Sequence, residues 1–127
     1  MAHEGFHEEN LPDSVKDYHR VIQSTMEELE AVDWYNQRAA ATKDPEVRAL
    51  MEHNRDEEIE HAVMGIEWLR RNNPVWDEMI REIMFQDGSI VEAEQVMTGK
   101  VDSAPKEGGA ANTPSGLNIG SMKRKGK

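Results

Sequence analysis

The chain has no cysteine. That excludes disulfides, thiolate metal sites and a cysteine nucleophile, and it suits a reducing cytoplasm. No stretch approaches the roughly 20 apolar residues that a membrane span needs. The opening "MAHEGFHEEN" has neither a basic start nor an apolar stretch behind it, so it is not expected to act as a signal peptide. Apolar residues make up only 37% of the 127 positions, aromatics 6%, and the mean hydropathy is −0.79. So short and polar a chain makes one small domain at most, with little material for a core of its own.

Acid is abundant, and it is unevenly placed. The formal net charge is −10. Residues 98–127 carry six Lys and Arg against Asp102 and Glu107, a balance of +4, which leaves −14 on residues 1–97. An acidic body argues against nucleic acid and anionic membranes as partners, and it suits attraction of cations. Six of the nine glycines also lie beyond Thr98, among Pro, Ala, Ser, Asn and Thr. That composition predicts a flexible linker over 98–114. Apolar residues return only in the basic stretch 115–127.

Helix signals fill most of what precedes. In "LPDSVKD", Asp13 or Ser14 can cap a helix, and Ser14 with Asp17 resembles a capping box. Residues 1–12 are expected to be disordered, and the first helix to run to about Ala41. "TKDPE" then breaks the chain. Asp44 caps a second helix and Pro45 takes its first position, where the missing N–H is no loss. "NNPVW" repeats the device with Asn73 and Pro74 and opens a shorter third helix. That helix should stop near the turn signal "QDGS", with "SIVEAEQVM" adding further helical turns. The expectation is therefore an all-α fold over 13–97: an antiparallel two-helix hairpin plus a shorter C-terminal helix.

Such a hairpin buries one face of each helix. The first helix has two apolar stripes. One is Val15, Tyr18, Ile22, Met26 and Leu29; the other is Val21, Thr25, Glu28, Val32 and Tyr35. One stripe serves the hairpin, and the other needs a cover. Leaving it wet forgoes several kcal/mol at about 25 cal/mol per Å². The simplest cover is a second copy, giving a four-helix bundle about a two-fold axis. The alternative is that the third helix folds back over it.

On the second helix, Met51, Asn54, Glu58, His61, Gly65 and Trp68 share a face. Its middle holds a carboxylate and an imidazole one turn apart. Glu-x-x-His on a helix aims both groups one way, and such donors suit iron, manganese or zinc. Glu4 to His7 also match the motif, so alone it says little. Context adds weight: ferritin-like di-iron bundles use one Glu from each of two helices and Glu-x-x-His from each of the other two. Glu28, Glu58 and His61 are half of that set, and two copies complete it. The plainer reading is a hydrogen-bonded polar pair at a helix interface, but it leaves converging carboxylates without a cation. Glu27 and Glu30 read as solvated or as an outer cation-collecting patch. Trp34 and Tyr35 read as packing, with the Tyr35 hydroxyl a possible support for Glu28. His53 reads as a surface residue.

"MEELEAVDWYNQR", "HNRDEEIEHAVMGIEWLRRN" and the short break between them resemble the encapsulated ferritins over roughly residues 14–85. The resemblance implies a half-ferritin whose dimers build a di-iron ferroxidase centre at the two-fold interface and assemble into a ring, usually a decamer. It implies Glu28, Glu58 and His61 as the catalytic iron ligands of each chain, with calcium or zinc able to substitute for iron. It implies Glu27 and Glu30 as outer metal-uptake positions, and Trp34 and Tyr35 as the aromatics beside the centre. It also implies residence in the cytoplasm inside an encapsulin nanocompartment, the shell protein being bound by a C-terminal targeting peptide. "SGLNIGSMK" resembles such a peptide, with Leu117, Ile119 and Met122 as apolar anchors and Gly120 between them; Asn118 and Met122 depart from the commonest form. A leashed segment of this kind orders only on docking, and its many copies per ring add avidity.

Two further functions compete with iron oxidation for delivery to a mineral store. One is a non-enzymatic assembly holding zinc or calcium as a staple or buffer. The other is a helical adaptor that only docks on a shell.

Overall fold

The computed structural model describes residues 5–97 and Gly99. Among the described residues every regular element is a helix: α1 (Asp13–Ala41), α2 (Pro45–Asn72), α3 (Pro74–Ile83) and α4 (Ile90–Met97). The all-α expectation holds, and α1 and α2 end where the sequence places them. No helix among the described residues is long and apolar enough to cross a membrane. Two compact units divide the chain, Met1–Pro74 and Val75–Lys127.

The first unit is built on the α1–α2 hairpin. Its start differs from the expected capping box. Pro12 occupies the cap position of α1 in an extended conformation, φ −62° and ψ 154°, and no side chain caps the helix. The fixed φ of proline already feeds the chain into the first turn. The Pro12 carbonyl accepts from the amides of Val15 and Lys16 at 3.0 and 3.1 Å, and Asp13 places a negative charge at the positive end of the helix dipole. Asp17 accepts from Arg20 at 2.9 Å. Ahead of the helix, Phe6 lies with its ring 4.9 Å from His19.

The link between the helices follows its sequence signals. The Asp44 carboxylate accepts from the amides of Glu46 and Val47 at 2.8 and 3.2 Å, with Pro45 at the first helical position. From inside α2, Arg48 reaches back to the end of α1, donating to the carbonyls of Ala39 at 3.2 Å and Thr42 at 2.8 Å. Arg48 thus satisfies carbonyls that the helix end leaves without partners.

The interior is thin. Among the described residues, Ala39, Ala62 and Leu69 are the buried hydrophobic residues, joined by Thr25. Of the two α1 stripes, the one with Thr25 and Glu28 faces α2. On α2 the buried line runs through Ala62 and Leu69, so the stripe read from the sequence is turned slightly from the true one, and His61 stands at its flank. Thr25 packs where α2 carries Gly65: a Cβ added there would overlap the Thr25 hydroxyl and lie 3.3 Å from its Cβ. Gly65 therefore allows the two backbones to close up. The other α1 stripe stays open. Met26 is 56% exposed and Leu29 52%, and on α2 Val63 is 58% and Met64 63% exposed.

In the second unit α3 is amphipathic, and Asp77 accepts twice from the Arg81 Nε, at 2.9 and 3.0 Å. The chain leaves the helix earlier than "QDGS" predicts. Phe85 takes the left-handed conformation, φ 64°, that ends helices, before Gly88 is reached. Ser89 opens α4, its hydroxyl accepting from the Glu92 amide at 3.2 Å.

Candidate metal site

Three side chains meet midway along the hairpin. Glu28 stands one turn after Thr25 on α1. Glu58 and His61 stand one turn apart on α2, with Gly65 one turn further on. One ligand atom from each of Glu28, Glu58 and His61 lies within 4.8 Å of the others. His61 Nδ1 is 3.5 Å from Glu58 Oε1. Glu28 and Glu58 are half-buried, while the His61 side chain is 47% exposed, so the cluster opens along one edge of the hairpin. Among the described residues, the Glu28 carboxylate has neither a hydrogen bond nor an ion pair with a cation.

The helices explain the convergence. Spacing of three residues puts Glu58 and His61 on adjacent turns of one face. The antiparallel register set by Thr25 against Gly65 brings Glu28 opposite them. The donor set fits a hard or borderline divalent cation: two carboxylates and an imidazole, with no soft ligand. One chain offers three donors to a cation that takes four or more, so the set is open to ligands from outside.

The other sequence candidates occupy varied positions. Glu27 and Glu30 are exposed, and Glu27 accepts from Gln23 at 3.3 Å. Trp34 and Tyr35 lie beneath the guanidinium of Arg38, at 5.8 and 5.4 Å from the ring centres. His53 is exposed and pairs with Glu57 at 3.3 Å. Leu117, Ile119, Gly120 and Met122 lie outside the described residues, as does Glu4 of the second Glu-x-x-His match. Sequence reasoning missed the bond from Arg55 Nη1 to Asn36 Oδ1, 3.0 Å, which ties α2 to α1 one turn from Glu58. Neither residue belongs to an apolar stripe, so periodicity gives no signal for it.

The family model described as EncFtn-like matches residues 2–87, more than half of the sequence. The chain belongs to the EncFtn-like family. Its likeness to the encapsulated ferritins, expected from the sequence, is borne out by relatives. An encapsulated ferritin-like protein of Rhodospirillum rubrum is 47% identical over 117 residues, covering 91% of this chain and 84% of the relative. A ferritin-like protein of Thermotoga maritima is 54% identical over 84 residues, covering 66% of this chain and 74% of the relative. The crystal structure of a Nitrosomonas europaea protein matches with a TM-score of 0.66 and 49% identity, over 68% of this chain and 97% of that one. Membership of the EncFtn-like family and the three converging donors together suggest a metal-related role.

Proposed function

We propose that this EncFtn-like protein is a ferroxidase that works as pairs of subunits. The observation that carries the reading is the convergence of Glu28, Glu58 and His61 on one open edge of a single hairpin. Two such edges facing each other across a two-fold axis supply four carboxylates and two imidazoles, a full di-iron ligand set. The hairpin also leaves an apolar stripe on a different side of α1 from Glu28, which calls for a further subunit contact. Met26, Leu29, Val63 and Met64 are each more than half exposed. Full burial of such side chains is worth about 1.5–3 kcal/mol apiece. In an assembly the site edges form the ferritin-like four-helix bundle, and contacts through the open stripe build the larger ring.

In this reading Fe(II) is the substrate. Two ions bind between subunits, and each gives up one electron to dioxygen or peroxide. The side chains hold the ions close, and the carboxylates stabilise the added positive charge of Fe(III). His61 donates a ring nitrogen to the ions. Glu27 and Glu30, exposed one residue before and two residues after Glu28, form the outer path by which ions reach the site. Trp34 and Tyr35 flank it further along α1. Calcium or zinc can take the same positions. The oxidised iron passes to a mineral store inside an encapsulin shell, to which residues 115–127 dock on the linker 98–114. The name of the R. rubrum relative supports that address.

The test is anaerobic addition of Fe(II) followed by air. Ferric absorbance should rise well above a protein-free control, and the paired change of Glu58 and His61 to alanine should return it to that control. A wild-type rate equal to the control, with bound metal retained, would leave a non-enzymatic metal assembly. Unchanged metal content and rate in the double variant would leave a shell-docking adaptor.

A further inference from the structure

Two of the four arginines of α2 pair with an acid one turn away, and two, Arg48 and Arg55, donate across the hairpin instead. In α2, Arg70 donates to Glu67, three residues before it, at 2.9 and 2.8 Å. Arg71 donates to the same carboxylate, four residues before it, at 2.7 Å. In α1, Arg20 does likewise with Asp17. These are the one-turn ion pairs that helix geometry favours. Arg55 has a glutamate one turn away on each side, Glu52 and Glu58, and takes neither. Its Nη1 donates across the hairpin to the neutral amide oxygen of Asn36 at 3.0 Å. Its Nε donates to Asp56 at 3.0 Å, a neighbour that does not share its face of the helix.

The position of this guanidinium matters because of its neighbours. The Arg55 side chain is 27% exposed, and it stands one turn from Glu58 on the face that meets α1. Asn36 stands eight residues beyond Glu28, about 12 Å along the axis of α1. Bonding to Asn36 therefore draws the cation toward the closed end of the hairpin, away from the carboxylates. A guanidinium released from Asn36 is flexible enough to turn to Glu58 at one-turn distance. There it would form a charge-assisted, two-pronged bond with the carboxylate oxygens that a metal needs.

We infer that Asn36 and Asp56 hold Arg55 out of the metal site, keeping the charge of Glu58 available to a divalent cation. Asn36 is then a positioning residue for metal affinity although it touches no metal. The inference rests on the reading of Glu28, Glu58 and His61 as metal ligands. An apolar residue at position 36 would leave the guanidinium free.

Isothermal titration of the full chain with Zn²⁺, a redox-silent probe, tests it. Asn36→Ala, on an exposed helical position where alanine is well tolerated, should weaken Zn²⁺ binding about 10-fold, the low end of what supporting groups contribute to metal sites. Arg55→Gln should bind at least as tightly as wild type, and Asn36→Ala combined with Arg55→Gln should recover wild-type affinity. The recovery separates charge from architecture, because both single changes break the same bridge between helices. Equal weakening by Asn36→Ala and Arg55→Gln would overturn the inference and make the bridge a plain register lock. Unchanged affinity in Asn36→Ala would overturn it too. A wild-type chain that takes up no Zn²⁺ would instead remove the metal reading itself, and this inference with it. Thermal melts of each variant at one chain concentration confirm that the comparison is between folded proteins.

Discussion

Gly65→Ala adds one methyl group at the tightest point of the hairpin. The new Cβ would overlap the Thr25 hydroxyl and sit 3.3 Å from the Thr25 Cβ. Thr25 has little room to yield, since it is buried and its hydroxyl donates to the Val21 carbonyl at 2.8 Å. Rotating the hydroxyl away breaks that bond at a cost of about 1–3 kcal/mol when the group stays buried, and it does nothing for the Cβ contact. Moving the helices apart instead loosens the packing around Ala62 and Leu69, with overpacking costing about 1–3 kcal/mol. Alanine returns about 1 kcal/mol in helix propensity. The clash wins, and the expected net loss is about 1–2 kcal/mol. Guanidinium unfolding followed by far-UV circular dichroism measures it, at one fixed chain concentration because association and stability are linked. Adding Thr25→Ala should relieve the clash, so the double variant should be more stable than the two single losses predict by about 1 kcal/mol. Additivity within about 0.5 kcal/mol would refute the close-contact account, as would a Gly65→Ala protein more stable than wild type.

Asp44→Ala removes the acceptor for two amides at the start of α2 and should cost about 1 kcal/mol in the same unfolding experiment. Hydrogen bonds from Arg70 and then Arg71 lower the Glu67 carboxyl to about 2. Because the folded value lies below the ordinary one, the stability this group contributes is present above about 4.5 and fades as pH falls toward 2. An NMR titration of its side chain should show a midpoint near 2, and Glu67→Gln should flatten the loss of stability across that window, an effect kept small by solvent screening. Truncation after Gly99 should leave iron oxidation intact and abolish co-purification with a co-expressed shell protein; retained co-purification would refute the docking role of the tail.

Much of the hairpin was legible in the sequence because its signals are local. Asp44 with Pro45 and the three-residue spacing of Glu58 and His61 each act within one or two turns. Local signals also misled. Ser14 and Asp17 resemble a capping box, yet Pro12 starts the helix by conformation alone. Phe85 ends α3 in a backbone region where a glycine is the usual marker. The sequence left open which α1 stripe meets α2, because both are apolar and periodicity weighs them alike. Gly65 decides the matter: only a partner at the level of Thr25 uses the space that its missing side chain leaves. Contacts between unlike residues on different helices, such as Arg55 with Asn36, follow no period and become visible only once the register is known.

The link of α1 to α2 spans only positions 42–44, and Asp44 fixes the phase of everything after it. A residue inserted between Asp44 and Glu58 would swing the rest of α2 by about 100° around its axis, carrying Glu58 and His61 to another side of the cylinder while Glu28 stayed where it was. An extra residue before Asp44 would leave that phase untouched. Length variation among descendants of this gene should therefore be permitted in the bend and forbidden in the four turns that follow it, a pattern of insertions and deletions written by the pitch of a helix.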